Sequence, residues 1–238
     1  MRHPTTIRQQ NKIQKININK MGQEYLDIYN SKGQHLGTES RKVVHQKGFW
    51  HKTFHCWIIF KNENGEDCVL MQKRAATKDS APNKLDSCVA GHYEAGEDIS
   101  GGIREFKEET GIDIEKSELI PLGIRVSVSD YKENNINKEF QEVYFIRKII
   151  PLSKFILPPD EVAGMVELPV LKCMQLFNNE IDHFFAKGIF NDDENSINPV
   201  LKEVKLTNSD FIQFVDNFHF KIMILAQRAL ANEKYLFI

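Results

Sequence analysis

Long apolar segments and a basic charge balance are both missing from this chain of 238 residues. No apolar run approaches the roughly 18 residues that a membrane-spanning helix needs, and the N-terminus shows no hydrophobic core of a signal peptide. The formal net charge is −2, whereas non-specific binding to nucleic acid requires a clustered basic surface. We therefore expect a cytoplasmic protein with no membrane partner and no nucleic-acid partner.

Cysteine is also scarce and widely spaced. The four cysteines are Cys56, Cys68, Cys88 and Cys173, and no CxxC pair occurs. This spacing argues against a zinc site and against a disulfide framework. We expect four reduced thiols, most of them buried, because free cysteine behaves as a small apolar side chain.

Acidic residues are absent from the first 20 positions, which carry five basic residues. The segment is rich in Gln and Asn, so we expect residues 1–21 to form a disordered tail. An organelle-targeting peptide is the alternative. Residues 22–238 are then expected to form a single domain that ends in a helical extension.

The spacing of apolar residues predicts the secondary structure of the rest of the chain. Alternating and β-branched runs indicate strands, and apolar residues at helical spacing indicate an amphipathic helix over 209–232. Residues 98–110 form the strongest helix prediction, with Gly111 at the expected C-cap. Strands interleaved with helices indicate an α/β sandwich. Strands are predicted at 24–29, 53–61, 67–73, 119–127, 140–149 and 160–168, a polar loop at 130–138, a short helix at 169–177, and no clear pattern at 180–205.

The helix predicted over 98–110 carries Glu105, Glu108 and Glu109 on one face. Spacings of three and four residues bring these side chains together, at the helix end whose dipole disfavours anions. Stability gives no reason for this arrangement, but a bound hard cation such as Mg²⁺ or Mn²⁺ does. Arg104 can hold a neighbouring carboxylate in place through an ion pair. The alternative is a solvated acidic helix face.

These residues are part of a longer pattern, which resembles the Nudix box. Gly91 is followed after five residues by Glu97, and after six more by Arg104-Glu105-Phe106-Lys107-Glu108-Glu109-Thr110-Gly111-Ile112. The wider resemblance to Nudix hydrolases covers residues 22–175. The second spacer is one residue shorter than in the family and contains Gly101-Gly102, which are poor helix formers. We therefore expect the helix to begin late, with its acidic face intact.

The resemblance implies a Nudix-like α/β/α sandwich with a mixed β-sheet and a catalytic helix. It also implies divalent-metal-dependent hydrolysis of a small-molecule diphosphate, such as a nucleoside diphosphate derivative. Arg104 would orient the glutamates, and Glu97 would form a supporting ion pair. The metal, Mg²⁺ or Mn²⁺, would be held by the carbonyl of Gly91 and by Glu105, Glu108 and Glu109.

The general base of this family is often a carboxylate outside the box. Glu142, on the strand predicted over 140–149, is the first candidate, and Glu139 is the second. The alternative for Glu142 is an exposed strand residue with no catalytic role.

The region before the box resembles the isopentenyl-diphosphate isomerase branch of the superfamily, which binds metal through three histidines and two glutamates. His45, His51 and His92 fall at or near the histidine positions. Arg74 and Lys78 fall at the positions of a pair that clamps the substrate diphosphate. We expect Arg74, Lys78 and His92 to contact the substrate. For His45 and His51 we favour structural roles, with metal ligation as the alternative.

Two departures separate this chain from the isomerases. Ala90 stands where the isomerase has its catalytic cysteine, and Phe140 stands where it has one metal-binding glutamate, the other being matched by Glu142. Cys88 lies two residues from Ala90 and, on a regular strand, would point to the same side. We therefore expect hydrolysis. An isomerase-like activity and a non-catalytic ligand-sensing role stay open, as do the substrate and the oligomeric state.

Overall fold

The computed structural model describes residues 23–132, 135–191 and 199–238. The tail predicted at 1–21 lies outside the described residues. Within them the chain forms eleven strands and four α-helices. The strands are β1 (Tyr25–Tyr29), β2 (His35–Ser40), β3 (Trp50–Lys61), β4 (Asp67–Arg74), β5 (Leu85–Asp86), β6 (Val89–His92), β7 (Leu119–Lys132), β8 (Asn135–Arg147), β9 (Val162–Pro169), β10 (Phe184–Phe190) and β11 (Val200–Leu206). The helices are α1 (Arg41–Lys47), α2 (Ile99–Thr110), α3 (Val170–Phe177) and α4 (Phe218–Leu230).

All eleven strands belong to one sheet with β3 as its most connected member. The main path runs β11-β10-β9-β4-β3-β1-β2, while β5 pairs with β4, β6 and β8 pair with β3, and β7 pairs with β8. β8 runs parallel to β3, and the other pairs are antiparallel. The mixed sheet implied by the sequence is therefore confirmed.

The strand β3 changes its neighbour along one edge. Residues 53–56 pair with β6, whereas residues 58–61 pair with β4. β4 leaves β3 after Leu70 and continues to Arg74 beside β5 and β9. The sheet therefore forks near Trp57, and the opening between the two branches becomes the floor of the candidate site.

Helices cover both faces of this sheet. Successive β3 side chains point to opposite faces, so Phe54 packs in the cluster of Phe106 from α2, whereas Trp57 packs in the cluster of α3 and α4. The rings of Trp57 and Phe218 are 5.5 Å apart. This arrangement confirms the α/β/α sandwich.

Two segments differ from their predictions. Residues 180–205, which show no clear pattern, contain β10 and β11 paired from Phe184↔Leu206 to Phe190↔Val200. Their alternation is hidden because residues 188–190 are all buried. The predicted loop at 130–138 lies mostly inside the β7–β8 ladder, which reaches Lys132↔Asn135.

The C-terminal helix begins at Phe218 and not at residue 209. Asn217 adopts a left-handed conformation with φ of 54°, which a right-handed helix does not tolerate. The apolar residues before Asn217 are not part of the helix. Phe211, for example, is buried in the core and directly follows the short 3-10 helix Asn208–Asp210.

The four cysteines are free and buried, as predicted. Among the described residues no helix is both long enough and apolar enough to cross a membrane.

Candidate active site

A cavity of about 1260 Å³ opens where the sheet forks. Its walls come from α1, α2, β3, β6, β7, β8, the loop after β4 and the segment before α4. Gly91, Glu105, Glu108 and Glu109 all line it. The residues of the predicted metal site are therefore brought together at one cavity.

The acidic face of α2 is unequally exposed. The Glu108 side chain is 57% exposed and that of Glu105 is 19% exposed, whereas Glu109 is buried. Glu109 accepts hydrogen bonds from Gln72 Nε2 at 3.0 Å and from the backbone nitrogen of Ala90 at 3.3 Å. A solvated acidic helix face does not bury a carboxylate in this way.

Burial raises the pKa of two of these acids. It raises the pKa of Glu105 to about 7, although Arg104 acts in the opposite direction. It raises the pKa of Glu109 to about 8, with a further contribution from the nearby Glu105. An ionised carboxylate is costly to bury without a positive partner, and a divalent cation would supply one. The donor set therefore fits the metal that the sequence pattern implies.

Gly91 leaves room for the Glu105 side chain, which lies against its Cα. A Cβ there would stand 2.5 Å from the carboxyl carbon of Glu105, so any larger residue displaces that side chain. The tight approach brings the backbone of Gly91 and the carboxylate of Glu105 to the same point, which suits shared ligation of one ion.

Arg104 lies among the carboxylates of the box. Its Nη1 is 2.9 Å from Glu105 Oε1 and 2.8 Å from Glu108 Oε2, and its Nη2 is 3.1 Å from Glu97 Oε2. One guanidinium therefore holds two glutamates of the acidic face and ties them to Glu97. The structure contains the supporting ion pair expected for Glu97.

The expected late start of the catalytic helix is wrong. α2 begins at Ile99, directly after the N-cap Asp98, whose side chain accepts a hydrogen bond from the nitrogen of Ser100. Gly102 lies in the first turns, where a Cβ would collide with the ring of Phe54. Glycine in a helix costs about 1 kcal/mol of stability relative to alanine. The close packing against Phe54 that glycine permits offsets this cost.

His45, His51 and His92 form a second cluster beside the acidic face. One ligand nitrogen from each lies within 4.8 Å of the other two, and the ring centroids are 5.1–5.3 Å apart. They come from α1, β3 and β6, which are separate in the sequence. Thr53↔His92 pairing places β6 alongside β3 and so creates the cluster.

Each imidazole is oriented through its Nδ1. That atom lies 2.8 Å from the carbonyl of Arg41 for His45, 3.0 Å from the carbonyl of Phe49 for His51, and 3.5 Å from Glu24 Oε1 for His92. A carbonyl accepts only from a protonated Nδ1, so in His45 and His51 the lone pair stays on Nε2.

The Nε2 atoms of His51 and His92 are buried and have no hydrogen-bond partner. Burial also lowers the pKa of His51 to about 4 and holds the pKa of His92 well below its usual range. A neutral imidazole whose buried Nε2 has no hydrogen-bond partner is suited to bind a metal ion. These contacts favour metal ligation over the structural roles that we preferred for His45 and His51.

The structure does not bring Glu142 to the cavity. Its side chain lies on the opposite face of β8, where it contacts Lys52 Nζ at 3.1 Å and accepts from the hydroxyls of Tyr93 at 3.0 Å and Tyr144 at 3.1 Å. Glu139 does line the cavity, and its Oε1 is 3.8 Å from His51 Nε2. The order of the two candidates is therefore reversed.

Register explains this reversal. His51 pairs with Glu139 and Phe54 pairs with Glu142 across the parallel β3–β8 ladder. Side chains of paired residues point to the same face, so Glu139 follows His51 toward the cavity while Glu142 follows Phe54 toward α2. The spacing of three residues between the glutamates places them on opposite faces of the strand.

Arg74 and Lys78 both line the cavity, as the substrate clamp requires. Arg74 bonds to Asp86 at 3.3 Å and to Ser80 through Nε and Nη2. Lys78 is ion-paired with Glu161. His92, the third expected substrate contact, belongs to the histidine cluster, so its predicted role competes with metal ligation.

The cysteine of the isomerases has no substitute in this cavity. Ala90 lines it, but Cys88 is fully buried in the apolar cluster that contains Phe106. Cys88 precedes β6 instead of sharing its regular alternation. Burial also raises the pKa of the Cys88 thiol, so proton exchange by this group is disfavoured.

Several cavity residues escaped the sequence analysis. Thr53 and His55 on β3 line the cavity with polar atoms that are buried and unpartnered, Oγ1 and Nδ1 respectively. In the sequence, their place at the cavity is indicated only by their alternation with His51 along β3. Ile212 and Phe214 form another wall, and they lie far from any recognisable motif.

Comparison with known proteins agrees with this geometry. Residues 51–192, more than half of the chain, match the NUDIX domain family. A Nudix hydrolase of Clostridium acetobutylicum is 40% identical over 168 residues, which cover 71% of this chain and 81% of that protein. An isopentenyl-diphosphate Δ-isomerase of Aliivibrio fischeri is 29% identical over 144 residues, covering 60% and 78%.

A crystal structure of a Deinococcus radiodurans protein covers 66% of this chain and 90% of its own, with a TM-score of 0.49 and 21% identity. The family match and the Clostridium relative decide the class: this is a hydrolase that acts on phosphoric anhydride bonds. The chain belongs to the Nudix family.

Proposed function

We propose that this enzyme uses divalent metal ions to cleave the diphosphate linkage of a small molecule, either a nucleoside diphosphate derivative or a similar diphosphate. The observation that carries the proposal is the convergence of Glu105, Glu108, Glu109 and Gly91 on one cavity, where burial raises the pKa of two of the acids. Such carboxylates are suited to hold a cation and poorly suited to stand alone.

Mg²⁺ or Mn²⁺ would be held by Glu105, Glu108, Glu109 and the carbonyl of Gly91. When bound, the metal polarises phosphoryl oxygens and acidifies the attacking water. Arg104 keeps two of the glutamates in place through its ion pairs. It therefore orients the acidic face before substrate arrives and limits the reorganisation that catalysis would otherwise require.

Arg74 and Lys78 are proposed to bind the substrate diphosphate. The Arg74 guanidinium is already held by Asp86 and Ser80, so it presents a fixed donor to the cavity. To bind phosphate, Lys78 has to leave its ion pair with Glu161. The Glu161 side chain is 45% exposed, so solvent can replace the lysine. The clamp combines a rigid fork and a mobile point charge.

The histidine cluster is proposed to bind a second divalent ion. Three imidazole nitrogens suit a borderline metal such as Zn²⁺ or Co²⁺, and also Mn²⁺, better than they suit Mg²⁺. His92 directly follows Gly91, so the two centres are adjacent along β6. Of the two candidate carboxylates on β8, we assign Glu139 to the active site, because it lines the cavity, and Glu142 to a structural role.

The isomerase-like activity is a second candidate because the histidines and the Arg74/Lys78 pair stand at isomerase positions and relatives named as isomerases exist. Ala90, the buried Cys88 and the position of Glu142 all oppose it, since carbon protonation needs acid/base groups in the cavity. Incubation with isopentenyl diphosphate and product analysis separates the two activities, because double-bond migration without phosphate release supports the isomerase.

The proposed hydrolase is tested with a panel of dinucleotides, nucleotide sugars, coenzymes and prenyl diphosphates, each with Mg²⁺ and Mn²⁺. We expect metal-dependent release of monophosphate products from at least one compound, and loss of this turnover in Glu108→Gln. Glu118→Gln is the matched control, because Glu118 pairs with Lys148 outside the cavity. Full activity in Glu108→Gln contradicts the proposal, and binding without turnover of every compound supports a sensor instead.

A further inference from the structure

Polar contacts link the histidine cluster to a segment that follows the family-matched region. The matched region ends at residue 192, whereas Asp216 precedes α4. Asp216 binds Arg125 on β7, Arg125 binds Gln141 on β8, and Gln141 binds Glu139, which faces His51. Five side chains therefore connect the C-terminal segment to a metal-ligating nitrogen.

The first link is a fork-to-fork ion pair. Arg125 Nε lies 2.9 Å from Asp216 Oδ2, and Arg125 Nη2 lies 2.8 Å from Asp216 Oδ1. The guanidinium carbon also lies 4.5 Å from the centre of the Phe214 ring and 3.9 Å from that of the Phe218 ring. Bidentate pairing and two aromatic rings leave Arg125, only 9% exposed, with little freedom to rotate.

The second link decides the orientation of the Gln141 amide. Arg125 Nη1 donates to Gln141 Oε1 at 2.7 Å. Because a guanidinium only donates, it requires the oxygen of the amide to face it. The Gln141 Nε2 group then points to Glu139 and donates to its Oε2 at 2.6 Å. Gln141 is buried at the wall of the cavity, which limits competition from solvent for these contacts.

The third link concerns the carboxylate of Glu139. With Oε2 engaged by Gln141, Oε1 is the atom left facing His51 Nε2, at 3.8 Å. Atoms that share a tetrahedral zinc ion at bond lengths of about 2.0–2.1 Å are about 3.3 Å apart. Glu139 does not belong to the group whose ligand atoms all lie within 4.8 Å of one another, so its side chain has to rotate toward the other two imidazoles. After that rotation it would complete a ligand set of three nitrogens and one oxygen.

We propose that Glu139 is the fourth protein ligand of the histidine centre and that Gln141, Arg125 and Asp216 are positioning residues that hold its carboxylate. The proposal rests on the metal at the histidine cluster proposed above. The C-terminal segment, outside the matched domain, then sets the metal affinity of the site.

The test measures metal binding and not turnover. Metal-free protein is titrated with Co²⁺ in excess Mg²⁺, so that Mg²⁺ occupies the oxygen-rich acidic face and the visible absorption of Co²⁺ reports the nitrogen centre. His51→Gln establishes which part of the signal belongs to the histidines. Calorimetric titration with Zn²⁺ gives an independent dissociation constant.

Gln141→Leu is expected to weaken Co²⁺ binding about 10–100-fold, the range for losing a supporting contact of a metal ligand. Glu139→Gln removes the proposed ligand itself and is expected to weaken binding at least as much. Asn has nearly the same shape as Asp and can still accept a hydrogen bond from Arg125. Asp216→Asn should therefore weaken binding less, by about threefold to tenfold, with a changed absorption spectrum. Arg228→Ala is the control, since it removes an ion pair with Glu233 in the same C-terminal region without touching the relay.

The outcomes separate the proposals. If His51→Gln leaves Co²⁺ binding unchanged, the histidine centre and the relay both fail, while Mg²⁺-dependent hydrolysis can still hold. If His51→Gln removes binding but Glu139→Gln and Asp216→Asn both bind Co²⁺ as the wild type does, only the relay is overturned. Circular dichroism and thermal unfolding of each variant show whether a loss reflects misfolding, and Asp216→Asn retains the test if Gln141→Leu does not fold.

Discussion

The acidic face of α2 and the histidine cluster are neighbours that burial affects in opposite directions. Burial raises the pKa of Glu105 and Glu109, and it lowers the pKa of His51 and His92. In both clusters the neutral form is favoured, because a low-dielectric surrounding disfavours charge of either sign. The consequence differs: an acid must lose a proton before it binds metal, whereas a neutral imidazole is already the ligand form.

This difference would let one cavity keep the two proposed metals apart. The acidic face offers hard oxygen and exchanges protons for a cation, which suits Mg²⁺ or Mn²⁺. The histidine cluster offers imidazole nitrogen, which suits borderline metals. Equal responses of the two clusters to substitution or to pH would break this comparison.

The largest effect is expected from the acidic face. Glu109→Gln should lower kcat/KM with Mg²⁺ by about two to three orders of magnitude, as losing one electrostatic stabiliser does elsewhere. His51→Gln should lower it by a smaller factor. Steady-state kinetics on the best substrate of the panel decide the matter, and equal losses in the two variants contradict a division of roles.

A second comparison uses the two faces of β8. Glu139→Gln should lower turnover about tenfold or more, because Glu139 lines the cavity. Glu142→Gln should leave turnover within about twofold and lower Tm instead, since it disturbs contacts with Lys52, Tyr93 and Tyr144. The reverse pattern would restore Glu142 as the catalytic carboxylate.

Gly91→Ala tests how closely the strand and the helix approach. The added Cβ displaces the Glu105 carboxyl, so we expect Mg²⁺ affinity to fall about tenfold and stability to fall by about 1–3 kcal/mol, the usual cost of overpacking. Mg²⁺ titration and urea unfolding measure the two effects. Unchanged Mg²⁺ affinity would show that Glu105 is not a ligand.

The smallest effect concerns pH and the metal-free protein. Glu105 and Glu109 have folded-state pKa values above the ordinary 4.5, so between about pH 4.5 and 8 the folded chain keeps protons that the unfolded chain has released. Their contribution to stability therefore falls as pH rises through this window. Above it the acids are ionised and free for metal.

Mg²⁺ should accordingly raise Tm more at pH 8.0 than at pH 6.0, by a few degrees at about 2–4 °C per kcal/mol. Zn²⁺ at the histidine cluster should raise Tm similarly at both values, because burial lowers the pKa of His51 to about 4 and the pKa of His92 well below its usual range. Differential scanning fluorimetry at the two pH values checks both statements, and a Zn²⁺ effect that follows the Mg²⁺ effect contradicts them.

Much of the fold was predictable because it depends on local patterns. The strands β1, β3, β4, β7, β8 and β9 and the helices α2 and α3 lie where apolar spacing indicates them. The start of α4 and the pair β10–β11 were not predicted. In the first case Asn217 stops the helix through its backbone conformation, and in the second burial on both faces hides the alternation. The cytoplasmic location stays a prediction.

The sequence by itself determined the acidic face and its chemistry. Glu105, Glu108 and Glu109 meet on one helix turn because helical periodicity brings residues three and four apart together. No distant contact is needed for that, so the class of reaction could be inferred from a single stretch around the box.

Only the tertiary structure decided the rest of the site. Pairing of β3 with β6 and packing of α1 bring together three histidines that no local period relates. The β3–β8 register places Glu139, and not Glu142, at the cavity. Arg125 binds Asp216, which lies 91 residues away in the sequence. Contacts between distant parts of a chain depend on register and packing, which local spacing does not encode.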